Sequence, residues 1–275
     1  MSPFKLQKVL FLVLIAHSLT LPCQAIDPRA NALCIQVEGE CQEIGTRELA
    51  LKKANEAIKI DPKAARCWRA KASVLSNMDE NEEALKLVEK AIEIDPNSTD
   101  NFALKAKILR AQNKGDEALR CINRALSLDD NHDNHLTKAQ VLLQLKRLPE
   151  ALSQTNLALK TKPNDIAILD LKATIEARLG QWQNAVNTLS IIIPKADPKQ
   201  YSTATHLASR ASAYYQIKQY KLAAADAQVI CKRYPLSREF RVLLIKIYQA
   251  MGDKAATARE QKALQDYDQD FTPIN

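Results

Sequence analysis

The chain has 275 residues, 46% of them apolar and only five of them glycine, a composition that suits a long helical array and leaves no need for a second globular domain. Its formal charge of +7 is unevenly spread: residues 26 to 130 carry 17 basic and 19 acidic side chains, residues 131 to 262 carry 20 and 10. The interleaved acids Asp165, Asp170, Glu176 and Asp226 argue against the continuous basic stripe that nucleic acid requires.

The first 25 residues read as a targeting segment. Lys5 and Lys8 precede an apolar run from Val9 to Leu21, and Cys23-Gln24-Ala25 places small residues where a signal peptidase cuts, so cleavage is expected after Ala25. Loss of the two lysines takes the charge of the mature chain to about +5. The alternative is an uncleaved membrane anchor, although the run is shorter than the roughly 20 residues of a spanning helix and is interrupted by His17 and Ser18.

Beyond the leader, proline punctuation recurs at Pro28, Pro62 and Pro96, with Asp130 at the next step and Pro163, Pro198 and Pro235 following less regularly. The stretch from Ala65 to Pro96 displays the unit. Trp68, Ala72 and Leu75 fall on one face of a first helix, and Ala84, Val88 and Ala91 on one face of a second. Residues 77 to 82 supply the turn, and Asp95-Pro96 stops the second helix because proline cannot continue the hydrogen-bond ladder. One such hairpin cannot bury its own apolar face and needs stacked copies. A basic residue followed by alanine marks the first helices at Lys71-Ala72, Lys105-Ala106, Lys138-Ala139, Lys172-Ala173 and Arg210-Ala211. Matching alanines mark the second helices at Ala50, Ala84, Ala118, Ala151, Ala185 and Ala223.

With that period and those offsets the chain resembles the tetratricopeptide repeat (TPR) family. The resemblance implies an all-α solenoid of about seven stacked helix-turn-helix repeats forming a right-handed superhelix. The expected organisation is a signal peptide over 1–25, an atypical N-terminal repeat or cap over 26–62, and a regular array over 63–198. C-terminal repeats with a capping helix follow over 199–267, then a flexible tail over 268–275. In the first unit Cys34 and Cys41 stand where the family has a large residue and an aromatic. They are candidates for a disulfide, since export permits one. Seven residues apart on one helix they lie about 10 Å apart along its axis, beyond the roughly 7 Å limit between Cα atoms for a bridge. An intact helix therefore leaves them as buried thiols, and a bond requires Gly39 to break it. Further along, Trp182 after Gly180 is expected to pack against its helix pair. The connection from Pro194 to Thr203 is longer than the others, and the polar helix after Lys254 suits a terminal cap.

No residues point to catalysis. The chain has no Gly-rich phosphate loop, no Cys-x-x-Cys pair and no nucleophile elbow, and His132-Asp133-Asn134-His135 reads as an exposed repeat start ahead of a metal site. The expectation is a non-catalytic chain with no cofactor, no metal and no small-molecule substrate. In the resembled family the first helices line a groove that meets peptides. Projecting that pattern places Arg66, Arg69, Lys107, Arg110, Arg178, Tyr215, Arg238, Arg241 and Tyr248 toward the groove, with Glu43, Asp100, Asp133 and Asp170 as the fewer acids. Arginine forks suit carboxylates, and tyrosines offer rigid contact area. The expected partner is an acidic protein or peptide segment, and the expected role is that of an exported adaptor, periplasmic or secreted, in assembly of an envelope or secretion complex. A self-associating module and a polyanion binder acting through the basic C-terminal half are the alternatives. Ser73 stands where the chaperone-tail receptors of the family have an asparagine, so that specific clamp is not reproduced.

Overall fold

The computed structural model describes residues 25–40, 44–197 and 200–270. The expected leader, Cys41 and Glu43 lie outside them, except for Ala25 at the leader's end. Among the described residues the regular structure is helical. The chain divides into two compact units after Leu128. The first holds α1 (Pro28–Glu40), α2 (Arg47–Ile60), α3 (Ala65–Asn77), α4 (Asn81–Ile94), α5 (Thr99–Ala111) and α6 (Gly115–Leu128). The second holds α7 (His132–Gln144), α8 (Leu148–Thr161), α9 (Ile166–Arg178), α10 (Trp182–Ile192), α11 (Tyr201–Gln216), α12 (Tyr220–Arg233), α13 (Arg238–Met251) and α14 (Lys254–Asp270). Each unit is an all-α solenoid of helical hairpins, in which odd-numbered helices are the first and even-numbered the second of each repeat.

Alanine is what lets the helices of a pair approach. Ala50, Ala84, Ala118, Ala151, Ala185 and Ala223 on the second helices are all fully buried, as are Ala72, Ala106, Ala139 and Ala211 on the first. Larger residues fill the spaces between: Ala72, Leu75, Ala84, Val88 and Ile108 form one cluster that spans two repeats. Each repeat therefore completes its core with its neighbour, as a hairpin too thin to hold one alone must. First helices also touch first helices, α1 with α3, α3 with α5, α7 with α9 and α11 with α13. Their outward residues consequently share a surface within each unit.

Three of the five basic residues that stand beside a first-helix alanine pair with an acid of a neighbouring second helix. Lys71 reaches Glu83 at 4.0 Å, Lys105 reaches Glu89 at 2.8 Å, and Arg210 forks onto Asp226 with both contacts at 2.8 Å. In each case a cation on a first helix meets an acid on a second helix, which fixes the pair in register.

Six inner turns repeat one backbone device. Asp79, Asn113, Lys146, Gly180, Lys218 and Gly252 all have φ between 60° and 73°, the left-handed region. After each, the next residue's N–H donates back across the turn: Glu80 to the Leu75 carbonyl, Lys114 to Leu109, Arg147 to Leu142, Gln181 to Glu176, Gln219 to Tyr214 and Asp253 to Tyr248, all at 2.9–3.0 Å. This is the Schellman closure of a helix C-terminus. Glycine occupies only two of the six positions, so the other four hold a side chain in a conformation that costs about 1–2 kcal/mol.

Expected boundaries and observed ones agree where proline stands. Helix α2 ends at Ile60 before Asp61-Pro62, α4 at Ile94 before Asp95-Pro96, α8 at Thr161 before Lys162-Pro163 and α12 at Arg233 before Tyr234-Pro235. The region after α10 departs from the pattern. That helix is only 11 residues long and passes into a 3-10 turn, Ile193–Lys195, through Pro194. Helix α11 then starts at Tyr201, ahead of the expected Thr203. The Tyr201 ring packs edge-on against Tyr234 with centroids 5.4 Å apart and lies 5.9 Å from Phe240. That aromatic contact is what an earlier helix start makes available. Trp182 packs with Ala177, Ala185, Val186 and Ala213 as expected. Helix α1 continues through Gly39 to Glu40, and α14 runs to Asp270, into the stretch expected to be tail.

Candidate functional site

In the first unit the outward residues of α1, α3 and α5 form a ladder of alternating charge. Arg66 presents Nε and Nη2 to the two oxygens of Glu38 at 3.2 and 2.7 Å and donates Nη1 to the Asn31 amide oxygen at 2.7 Å. Arg69 shares Glu38 at 3.4 Å and turns its other terminal nitrogen to Asp100. The Glu38 fork holds the Arg66 proton above the ordinary arginine range, with burial opposing. Exposure falls toward the middle of the ladder: the Asp100 side chain is 65% exposed, that of Arg69 21%. Farther along α5, Lys107 is exposed and Arg110 half-buried.

The second unit places its expected residues differently. Arg178, at the end of α9, is exposed. His206 on α11 reaches Asp170 on α9 at 3.1 Å, so this acid also joins two first helices. Tyr215 is half-buried, its ring centroid 5.6 Å from that of Tyr220. Arg238 opens α13 on the surface and lines, with Glu239 and Val242, an open depression of about 540 Å³. Arg241 has its guanidinium engaged inside the unit, on Glu260 of α14 and on the Pro235 carbonyl, both at 2.8 Å. Tyr248 is 4% exposed, and its hydroxyl accepts from the Gln228 amide at 2.6 Å. Projection by repeat position put both on an open groove. The geometry instead makes them ties between α12, α13 and α14.

The histidines are similarly engaged. His135 meets Asp130 at 2.7 Å and Gln154 at 2.8 Å, and His132 meets Asp133 at 3.3 Å. No group of three or more metal-ligating side chains occurs among the described residues. Sequence reading missed Glu38, Asn31 and Glu260 as partners. The available signal was an acid on a neighbouring helix at an equivalent height in the repeat, visible for Glu38 and Asp100 once the period is set.

The chain's likenesses agree with this architecture. A family model described as anaphase-promoting complex, cyclosome, subunit 3 matches residues 77–156. Comparison of the sequence with curated proteins gives no match. Among solved structures, PilW, a widely conserved type IV pilus biogenesis factor, superposes with a TM-score of 0.70 at 16% identity, over 79% of this chain and 99% of that one. The Cut9–Hcn1 hetero-tetramer of the APC/C gives a TM-score of 0.66 at 15% identity over 93% of this chain, which spans only 48% of the matched one. YrrB, a TPR protein with an unusual peptide-binding site, gives 0.55 at 20% identity, over 68% of this chain and 94% of that one. At these identities the likeness concerns the fold. The 34-residue spacing, the alanine-sealed helix pairs and these likenesses give the chain the helical-hairpin solenoid fold of tetratricopeptide-repeat proteins.

Proposed function

We propose that this chain is an exported, non-catalytic adaptor whose first-helix surfaces hold an acidic protein or peptide segment during assembly of an envelope or secretion complex. The observation that carries the reading is the ladder Glu38–Arg66/Arg69–Asp100, in which arginine forks are already aimed and desolvated on one side by acids of the chain itself. Arg66 is the fixed part, held by both Glu38 and Asn31. Arg69 is the exchangeable part. Its contact to the largely exposed Asp100 is of the kind worth about 0–1 kcal/mol, so an incoming carboxylate displaces Asp100 at little cost and gains a charge-assisted hydrogen bond. Lys107 extends the cationic surface along α5. In the second unit the exposed Arg178 and Arg238, with the half-buried Tyr215, offer separate contacts.

Support from likeness is of two kinds: YrrB is a peptide-binding TPR protein and PilW a pilus biogenesis factor, each on this fold. The leader expected over residues 1–25 supplies the export. No helix among the described residues is long and apolar enough to cross a membrane.

The test is affinity capture from the envelope fraction of the source cells, with residues 26–275 beside a Lys107→Glu, Arg178→Glu, Arg238→Glu variant of matched helicity. All three side chains are exposed, so folding should be preserved. A protein retained by the parent and lost by the variant supports the adaptor; equal retention sinks the role assigned to these cations. A second reading, self-association, is favoured by one feature of the second unit. Leu222 and Met251, 49% and 38% exposed, flank an open depression of about 530 Å³ beside Tyr220. Its signature is a mass that rises with concentration in the absence of any partner.

A further inference from the structure

We infer that Cys34 and Cys67 form an intramolecular disulfide that staples the first repeat to the second. The two sulfurs face each other at 3.6 Å across the contact between α1 and α3, and both side chains are fully buried. A disulfide needs sulfurs about 2.05 Å apart, so a closing movement of about 1.5 Å, within reach of small side-chain rotations, joins them. Their surroundings allow that movement, because the cluster around them is built mainly of alanine: Ala30, Ala50, Ala54, Ala57 and Ala70.

The pairing differs from the one that sequence proximity suggested. Cys34 sits on an α-helix that continues through Gly39 to Glu40, so the partner one repeat away is the one the fold brings to it. Cys121 and Cys231 lie in other repeats, with burial holding both thiols above the ordinary range, the latter at about 11. In the docked pair the two sulfurs are within hydrogen-bond reach, so one thiol stabilises a thiolate formed at the other, with burial opposing the charge and Arg66 favouring it at Cys34.

The chemistry is exchange with an oxidising protein disulfide. One cysteine of the pair, as its thiolate, attacks one sulfur of the oxidant, breaking its S–S bond and expelling a thiolate. The other then loses its proton and attacks the chain's own sulfur in the mixed disulfide, forming the internal bond and expelling the second oxidant thiolate. Two electrons pass to the oxidant, and the two thiol protons end on its sulfurs, leaving a dithiol. Full burial of the pair requires that this happen while the first repeat is undocked. That repeat is the terminal one described, packed against a single neighbouring repeat, and end repeats open at lower cost than the array as a whole. The export expected for this chain supplies a compartment in which such a bond persists.

The test uses the full chain, denatured and reduced, then refolded in an oxidising glutathione buffer with a thioredoxin-fold disulfide oxidase. Free thiols are alkylated under denaturing conditions and the chain is digested, without reduction, by proteases that cut after Lys/Arg and after Glu. Cleavage at Glu38 and Glu40 separates Cys34 from Cys41, and cleavage at Arg66 and Arg69 isolates Cys67. The expected product is a Cys34 peptide joined to the Cys67 peptide, lighter than their sum by two hydrogens, and the same product from a Cys41→Ser variant. In the oxidised chain, hydrogen exchange of the α1 amides should be roughly a hundred-fold slower than in the reduced chain, as expected when cross-linking removes the freedom of a loop of this length. Alkylated Cys67 in the refolded protein, a bridge from Cys34 to any other cysteine, or equal exchange in the two states would overturn the inference.

Discussion

Lys146→Gly should stabilise the protein although it removes a charged side chain and adds no contact. Lys146 closes α7 with φ at 60°, its own N–H donating to Leu143 and that of Arg147 to Leu142 at 2.9 Å. An L-residue in that conformation carries about 1–2 kcal/mol of backbone strain. Glycine removes the strain but gains freedom in the unfolded chain, which takes back about 0.4–1 kcal/mol. The balance is a gain of about 0.5–1 kcal/mol, or a rise of roughly 0.3 M in the urea midpoint at an ordinary slope. Gly252→Ala is the mirror experiment: φ is 73° and a methyl group there meets no atom within 4 Å, so the loss is one of backbone conformation alone. Urea titrations followed by circular dichroism, with the parent measured beside both variants, read the two effects. A lower midpoint for Lys146→Gly, or an unchanged one for Gly252→Ala, would refute the argument.

Three further outcomes follow from the packing. Ala84→Leu forces a larger side chain into a position with no exposure and should cost about 1–3 kcal/mol in the same titration, whereas Lys86→Leu on the exposed side of α4 should change little. Asp226→Ala leaves Arg210, whose side chain is 19% exposed, with only Ser190 at 3.1 Å and the Tyr214 ring; a loss of about 2–4 kcal/mol is expected, and Arg210→Met combined with Asp226→Leu should recover much of it. Glu176 is 3% exposed, and burial raises its carboxyl above the ordinary range, opposed by the hydrogen bond that Thr188 donates at 2.8 Å. The folded state then binds more protons than the unfolded state, so this group's contribution is full below the ordinary glutamate pKa and is lost as pH rises through the raised one. Glu176→Gln should flatten that decline, and a stability curve with the same slope in parent and variant would contradict the assignment.

Much of the architecture could be read from the residues because it rests on short-range rules. Asp-Pro after a second helix and alanine at two offsets repeat because every hairpin faces the same packing problem, and Ala84 or Ala139 solves it identically in each copy. The left-handed turns at Asp79, Asn113, Lys146 and Lys218 were not legible, since the usual marker is glycine and only Gly180 and Gly252 provide it. Repeat position also says which way a side chain leaves its helix but not what it meets there. Arg66 and Arg69 do lie on first helices, yet their partners come from one repeat on either side. Arg241 and Tyr248, aligned on the turns at Asp79 and Gly252, stand where Trp68 and Leu75 do, on the inward side of the last repeat, where Glu260, Gln228 and the Pro235 carbonyl engage them. Cys34 and Cys67 are far apart in sequence and close in space for the same reason: stacking juxtaposes residues about one period apart.

The claim that the first-helix surfaces meet the partner is tested most directly by site-specific photo-crosslinking in the source cells. A photoreactive residue is placed singly at Lys107 of α5 and Arg178 of α9, and at the exposed second-helix positions Lys90 of α4 and Asn187 of α10. The adaptor account predicts a discrete adduct with one and the same protein from the two first-helix positions and none from the second-helix positions. Adducts confined to Lys90 and Asn187 would move the partner to the second helices and contradict it.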